Sequence, residues 1–364
     1  MSAESKHLVV VISGHGYGHA AMTAPLIHAL HKKCSNLKIT VRTDLPEQFL
    51  RTVMPFKFDY CLESTDFGMM MHDAFTIDTE KSLVRYQALH QNWQVNIDAE
   101  INRLTQLRTD YLISNIAYLP LAAAKQINIP AIAYGCLNWA EIFQYYFIEH
   151  NRIYKQIIDA YASADRIIRT QPTMPMIDLV TETVGAIASS GTHKRQFLCK
   201  RLGLAEDSRL ILVSMGGIKT AMNISAWPVI EGVHYLIDGL VPDGREDVSS
   251  LSNQSNIDIS FIDALCSVDI FLTKPGYGSF SQAACNRTAV LYVERPDWPE
   301  YSYLCDWLKD HVPCTSITQQ QFCSGQFASE LVSLSQQYVS PTMPHTGLDS
   351  AIKILLAGFN LEEN

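Results

Sequence analysis

The chain has little that would place it in a membrane, in an oxidising compartment or on nucleic acid. No apolar run in its 364 residues approaches the roughly 18 that a membrane-crossing helix needs. Leu8 to Ile12 is too short for a signal-peptide core and runs straight into glycines and histidines. These absences predict a cytoplasmic chain with no integral membrane segment, and leave peripheral membrane contact open. Positive charge is scarce: 28 Lys and Arg against 37 Asp and Glu give a net charge of −9, which argues against nucleic acid as a partner. Nine cysteines, an odd number scattered from Cys34 to Cys323, contain no CxxC pair. Reduced core thiols are therefore expected rather than bridges or zinc ligands. There is no GxxxxGK[ST] loop, which argues against a kinase of that type. There is also no DxD pair to hold a divalent ion against a diphosphate, so neither a metal nor a resident cofactor is expected. Repeats of solenoid length and low-complexity tracts are missing too.

What is present is a soluble-enzyme composition, 47% hydrophobic and 18% charged, in a chain long enough for about two domains. Short β-rich runs alternate with helical patterns. Leu8 to Ile12, Lys38 to Arg42, Tyr111 to Ser114, Ala131 to Tyr134 and Arg166 to Arg169 read as strands of a first parallel sheet. Leu210 to Ser214, Val268 to Thr273, Ala289 to Val293 and Cys314 to Ile317 read as strands of a second. Thr170 to Lys194, punctuated by Pro172, Pro175, Gly185 and Gly191, reads as the connection between them. Pro242 to Asn256 reads as a loop and Gly347 to Asn360 as a helix.

The densest signal is Thr273 to Glu300, TKPGYGSFSQAACNRTAVLYVERPDWPE. A buried strand runs into a glycine turn, where Gly276 and Gly278 let the backbone approach a ligand and Ser279 is placed to cap the following helix. That helix N-terminus would attract an anion. The loop after the next strand carries Arg295, Asp297 and Glu300 to the same edge of a parallel sheet, where ligands bind. An anion site beside carboxylates suggests a sugar nucleotide.

This segment resembles the donor-binding motif of nucleotide-sugar glycosyltransferases of the GT-B fold. In those families a basic residue precedes the glycine, here Lys274, and a Ser or Thr follows, here Ser279. A ribose-gripping Glu comes three residues later, where this chain has Gln282. A neutral amide keeps hydrogen bonding but loses the charge-assisted hold of a carboxylate on a diol. The acid-containing pair that meets the sugar is matched by Glu300 and Tyr301. The resemblance implies two Rossmann-like, doubly wound parallel-sheet α/β domains facing across a cleft. The expected division is 1–180 on the acceptor side and 181–345 on the donor side, with a final helix, 346–364, crossing back to the first domain.

The second signal is the loop SGHGYGHA, Ser13 to Ala20, after the first strand. Gly14, Gly16 and Gly18 give GxGxG rather than the dinucleotide fingerprint, and no acid ends the second strand, although Asp44 sits close. The loop offers His15 and His19 on glycine hinges beside Tyr17, and an imidazole can take a proton from a hydroxyl. It resembles the glycine-rich turn of the enzyme that adds N-acetylglucosamine to the peptidoglycan lipid intermediate, with His19 on that motif's histidine. It is more similar to the N-terminal region of plant arabinokinases and its stand-alone bacterial relatives. These share the GHGxGHA loop and stretches like Asp66 to Tyr86, Ser114 to Pro120 and Asn138 to Tyr146, so the resemblance runs over most of the chain. Asn115 and Leu137 stand where those relatives favour Asp and Phe. Asn115, Asn138 and Trp139 are the further acceptor-side candidates.

The third signal, Ser214 to Lys219, SMGGIK, is another strand entering a glycine pair, and Gly216 and Gly217 would present N–H groups to a diphosphate. Taken together, these signals suggest transfer of a sugar from a nucleoside-diphosphate sugar, UDP favoured, to an unidentified hydroxyl acceptor, with His19 as base. The lack of a DxD pair points to a metal-independent reaction, and inversion is the expected outcome, retention staying open because both kinds of enzyme use this fold. A nucleotide-sugar epimerase and a non-catalytic sugar-nucleotide binder share the donor motif and stay open. Oligomeric state leaves no mark in the sequence.

Overall fold

The computed structural model describes residues 5–64, 66–217, 222–251, 257–337 and 347–363. The chain divides into two compact units, Met1–Ile187 with Thr346–Asn364, and Ala188–His345. Each unit holds one all-parallel sheet.

In the first unit the order is β1 (His7–Ile12), α1 (Tyr17–Lys33), β2 (Lys38–Thr43), α2 (Glu47–Val53), β3 (Asp59–Leu62), α3 (Thr79–Gln91), α4 (Trp93–Gln106), β4 (Tyr111–Asn115), α5 (Leu119–Gln126), β5 (Ala131–Gly135), α6 (Trp139–Tyr146), α7 (Asn151–Ala162), β6 (Arg166–Thr170) and β7 (Glu182–Val184). The sheet runs β3-β2-β1-β4-β5-β6-β7. All six residues of β1, HLVVVI, are buried. A strand covered by helices on both faces has no polar side to show, which is why the run is continuous rather than alternating. The strand order reverses between β1 and β4, and there Ile12 pairs with Asn115. The loops leaving those two strand ends flank a topological switch point, the usual ligand position in an open α/β sheet.

The second unit continues with α8 (Arg195–Leu202), β8 (Arg209–Ser214), β9 (Val233–Ile237), β10 (Val248–Ser250), α9 (Phe261–Ser267), β11 (Ile270–Thr273), α10 (Tyr277–Cys285), β12 (Ala289–Val293), α11 (Tyr301–Lys309), β13 (Cys314–Ile317), α12 (Gln319–Ser324) and α13 (Ala328–Ser335). Its sheet runs β10-β9-β8-β11-β12-β13. The reversal falls between β8 and β11, where Ser214 pairs with Thr273. The SMGG turn and the KPG turn therefore leave adjacent strand ends.

The last helix, α14 (Leu348–Phe359), packs on α1, β6 and β7 of the first unit. It buries Ala351, Ile352, Leu355 and Phe359. A Cβ on Gly358 would stand 2.8 Å from Ile132 Cδ1, so this helix lies close on the sheet.

Two stretches expected to be irregular carry strands. Thr170 to Lys194 contains β7, and Pro242 to Asn256 contains β10, although residues 252–256 of the latter lie outside the described residues. Both strands have three residues and sit at sheet edges, so neither has the buried apolar run that marks a central strand. All nine cysteines are free thiols. Among the described residues no helix is long and apolar enough to cross a membrane.

Candidate functional site

Each unit carries one candidate region at its switch point. In the second unit, α10 begins with Gly276 at its N-cap, and no side chain caps the helix. Ser279 does not cap it, contrary to expectation: its Oγ accepts from Thr273 Oγ1 at 3.2 Å, tying the helix back to the end of β11. A capping hydroxyl belongs one residue before the helix, whereas Ser279 stands in the helix's first turn. Gly276 is extended, with φ of −176°, and a Cβ there would meet no atom within 4 Å. Nothing in the protein demands glycine at this point. The space a side chain would fill lies open at a helix N-terminus that carries no acidic residue in its first turn.

The second glycine turn comes alongside. Gly216 and Gly217 have φ of 73° and 85°, a left-handed pair that glycine adopts without strain. A Cβ on Gly216 would stand 3.6 Å from Lys274 Cε. Ile218 and Lys219 of the motif lie outside the described residues. The Lys274 ammonium is pushed down to about 7 by loss of water and then by the positive charge of Arg295, with Glu300 opposing. Lys274, Arg295 and Glu300 thus act on one another although 26 residues separate the first from the last. Arg295 is buried with its guanidinium 4.3 Å over the Trp298 ring. Trp298 Nε1 donates to Glu300 Oε2 at 3.3 Å, so one indole braces both charged groups. Glu300 and Tyr301 begin α11, and the Tyr301 ring packs edge-on to Tyr292 at 6.4 Å. Gln282 lies on α10 one turn beyond Gly278, half-buried.

In the first unit the loop Ser13 to Gly16 follows β1, and α1 starts at Tyr17, again with a glycine N-cap, no capping side chain and no acid in the first turn. Gly18 lies in that first turn, and His19 is the helix's third residue, 9% exposed. Tyr17 stacks on Phe49 at 4.1 Å. Trp139 is fully buried and lies against both histidines, edge-on to His15 at 5.1 Å and tilted to His19 at 6.4 Å. Its Nε1 donates to Asp66 Oδ2 at 2.7 Å. A Cβ on Gly14 would fall 1.5 Å from Asp44 Oδ1, so Asp44 lies directly on the glycine loop. The Asp66 carboxyl is pushed up to about 6 by burial, while hydrogen bonds from Trp139, Ser13 and Gly14 pull the other way and Asp44 adds to the rise.

Neither asparagine is free to read a ligand with the groups it already uses. Asn138 caps α6, accepting from the Glu141 N–H at 2.9 Å. Asn115 is buried and donates to the Tyr134 carbonyl at 3.2 Å, joining the ends of β4 and β5. Ile116, the residue after it, holds a φ of 58°, which a β-branched side chain rarely tolerates. Trp139, an acceptor-side candidate, is fully buried and lies against His15 and His19.

No protein-family model matches the chain. The L-arabinokinase of Arabidopsis thaliana is 24% identical over 343 residues, which cover 91% of this chain and 32% of that protein. The chain thus spans about a third of the length of the curated relative it matches. Among solved structures, UGT89C1 of Arabidopsis thaliana in complex with quercetin superposes with a TM-score of 0.63 at 12% identity, covering 98% of this chain and 100% of that one. A UDP-glucosyltransferase of Polygonum tinctorium that glucosylates indoxyl gives 0.59 at 12%, covering 100% of both chains. A protein assigned as a UDP-N-acetylglucosamine 2-epimerase of Listeria monocytogenes gives 0.58 at 13%, covering 97% and 96%. The fold is that of the GT-B glycosyltransferases.

Within this GT-B fold, the sequence signals fall at the switch point of each Rossmann-like sheet. Asp66 was not singled out as a site residue, and Asp44 was noted only for its nearness to the end of the second strand. Asp66 follows β3, whose residues DYCL are half-buried to exposed and give no strand signal, so the loop after it had no place at the sheet edge. Asp44 follows β2 by one residue.

Proposed function

We propose that the chain is a glycosyltransferase that moves a sugar from a nucleoside-diphosphate sugar, UDP favoured, to a hydroxyl acceptor, without a metal and with inversion. The observation that carries the reading is the open, uncapped start of α10, with Lys274 and the left-handed Gly216 and Gly217 beside it. Backbone N–H groups, a helix dipole and a lysine suit a diphosphate leaving group. Gly278 keeps the first turn of α10 slim. Arg295 adds a second positive charge beside Lys274 for the diphosphate, Glu300 and Tyr301 orient the sugar, and Gln282 contacts the ribose.

His19 is the candidate base. It takes the proton of the acceptor hydroxyl as the oxygen attacks the anomeric carbon, and the nucleoside diphosphate departs with the bonding electron pair. Gly14, His15, Gly16, Tyr17 and Gly18 shape the acceptor side. With His19→Ala, turnover falls by roughly 10²-fold or more while nucleotide binding persists, the usual magnitude for loss of a general base. Undiminished turnover by that variant sinks the assignment.

A nucleotide-sugar epimerase is the second reading, favoured by the similarity to the Listeria protein. Incubation with a UDP-sugar alone separates the two: an isomerised sugar nucleotide identifies an epimerase, whereas unchanged or slowly hydrolysed donor favours transfer. A thermal-shift survey of nucleoside-diphosphate sugars names the donor, because saturation at 100 times Kd stabilises by about 2.7 kcal/mol.

A further inference from the structure

We propose that Asp66 and Trp139 form a positioning pair for the glycine-histidine loop: the carboxyl fixes the indole, and the indole sets the rings of His15 and His19. Asp66 touches no reacting atom in this scheme and acts through Trp139 and the loop. The proposal rests on the reading of His19 as base for its catalytic meaning, and on the loop's geometry for its existence.

Five observations carry it. The indole N–H to carboxylate distance is 2.7 Å, and the indole is fully buried. The same ring meets His15 edge-on at 5.1 Å and His19 at 6.4 Å, so its rotation would displace both imidazoles. The rest of Trp139 is fixed: its N–H donates to Tyr161 Oη at 3.1 Å, and the preceding Asn138 caps its helix. On the far side, Gly68 holds a φ of 58°, and a Cβ there would stand 2.5 Å from Trp139 Cη2 and 2.8 Å from His15 Nδ1. The segment carrying Asp66 therefore fits against indole and imidazole together. Ser13 and Gly14, at the start of the histidine loop, lie close enough to Asp66 to oppose the rise that burial gives its carboxyl. The Ser13 Oγ in turn accepts from the His15 N–H at 3.3 Å. One carboxyl thus lies beside the loop's first residues and holds the ring that meets its histidines.

The charged and titratable groups around Asp66 are Asp44 after β2, His15 and His19 on the loop and α1, Tyr86 on α3, Tyr118 after β4 and Tyr161 on α7. The three tyrosines are buried, and loss of water holds their phenols neutral.

The test is an NMR titration of the unliganded chain, following the Trp139 indole N–H and the His15 and His19 ring protons. In the native chain the indole resonance moves with a midpoint near pH 6, and both histidines show a step at the same midpoint. In Asp66→Asn that common step disappears. Both Asp66→Asn and Trp139→Phe shift the His15 and His19 ring-proton resonances, because the indole that faces both rings is turned or lost. His28 and His31, which pack on Phe56, keep theirs and serve as internal controls. His15 and His19 ring resonances that stay in place in folded Asp66→Asn and Trp139→Phe variants overturn the proposal. No substrate enters these readouts, so loss of the transferase reading and loss of the positioning pair register separately.

Discussion

In the proposed donor site Lys274 would be an unusual anchor for a diphosphate, because its proton leaves near neutrality. Burial and Arg295 bring Lys274 down to about 7, so the empty site holds it part-charged at physiological pH. An incoming diphosphate adds negative charge beside it and restores the proton. Binding at pH 8 is therefore accompanied by proton uptake, and affinity falls as pH rises above 7, by up to about tenfold per unit. Calorimetry with UDP in two buffers of different ionisation heat measures the uptake, and Lys274→Met abolishes it. The stability sign is opposite: between about 7 and the ordinary lysine value the unfolded chain binds more protons, so stability of the empty protein rises with pH there. Gly68 gives a second residue-scale test. Gly68→Ala forces a left-handed alanine into the Trp139 ring and lowers stability by about 1–3 kcal/mol, read from urea unfolding.

At the scale of elements, β1–α1 and β11–α10 are the same device built twice: a buried strand, a glycine N-cap and a helix start with no capping side chain. Because a Cβ at Gly276 meets nothing, Gly276→Ala leaves the melting temperature within about a degree while weakening UDP binding by roughly tenfold. Equal losses in both measurements would show that the glycine serves the fold. The central strands of both sheets were legible because helices on both faces force an unbroken apolar run, as in Leu8 to Ile12 and Ala289 to Val293. The half-exposed β3 and the three-residue β7 and β10 were not, since an edge strand needs no such run. β9, VHYLI, is mostly buried and was missed despite its apolar residues, with His234 interrupting the pattern. The glycine turns were legible because strand, glycine and helix are contiguous in sequence. Asp66 was not, because its link to Trp139 spans 73 residues and exists only once the sheet is assembled.

For the molecule as a whole, the interior of the first unit holds a charged cluster as well as apolar side chains. Arg42 is fully buried and pairs with Glu100, its Nη2 2.9 Å from Oε2, while Glu63 bridges Arg42 and Arg103 at 3.2 and 2.9 Å. Glu100→Ala leaves a buried guanidinium short of a partner and costs about 3–5 kcal/mol, read as an earlier urea transition of the first unit. Deleting residues after His345 removes α14 and bares the faces of α1, β6 and β7 that it covers. Limited proteolysis then cuts within the first unit while the second resists. The return of α14 also reverses the order in which the chain can mature on the ribosome. The segment Ala188–His345 can close its own sheet as soon as it emerges, whereas the unit whose strands were synthesised first waits, one helix short, until residue 359 is free. During that interval the nascent chain displays an apolar seam, and a holding chaperone would find its binding surface there.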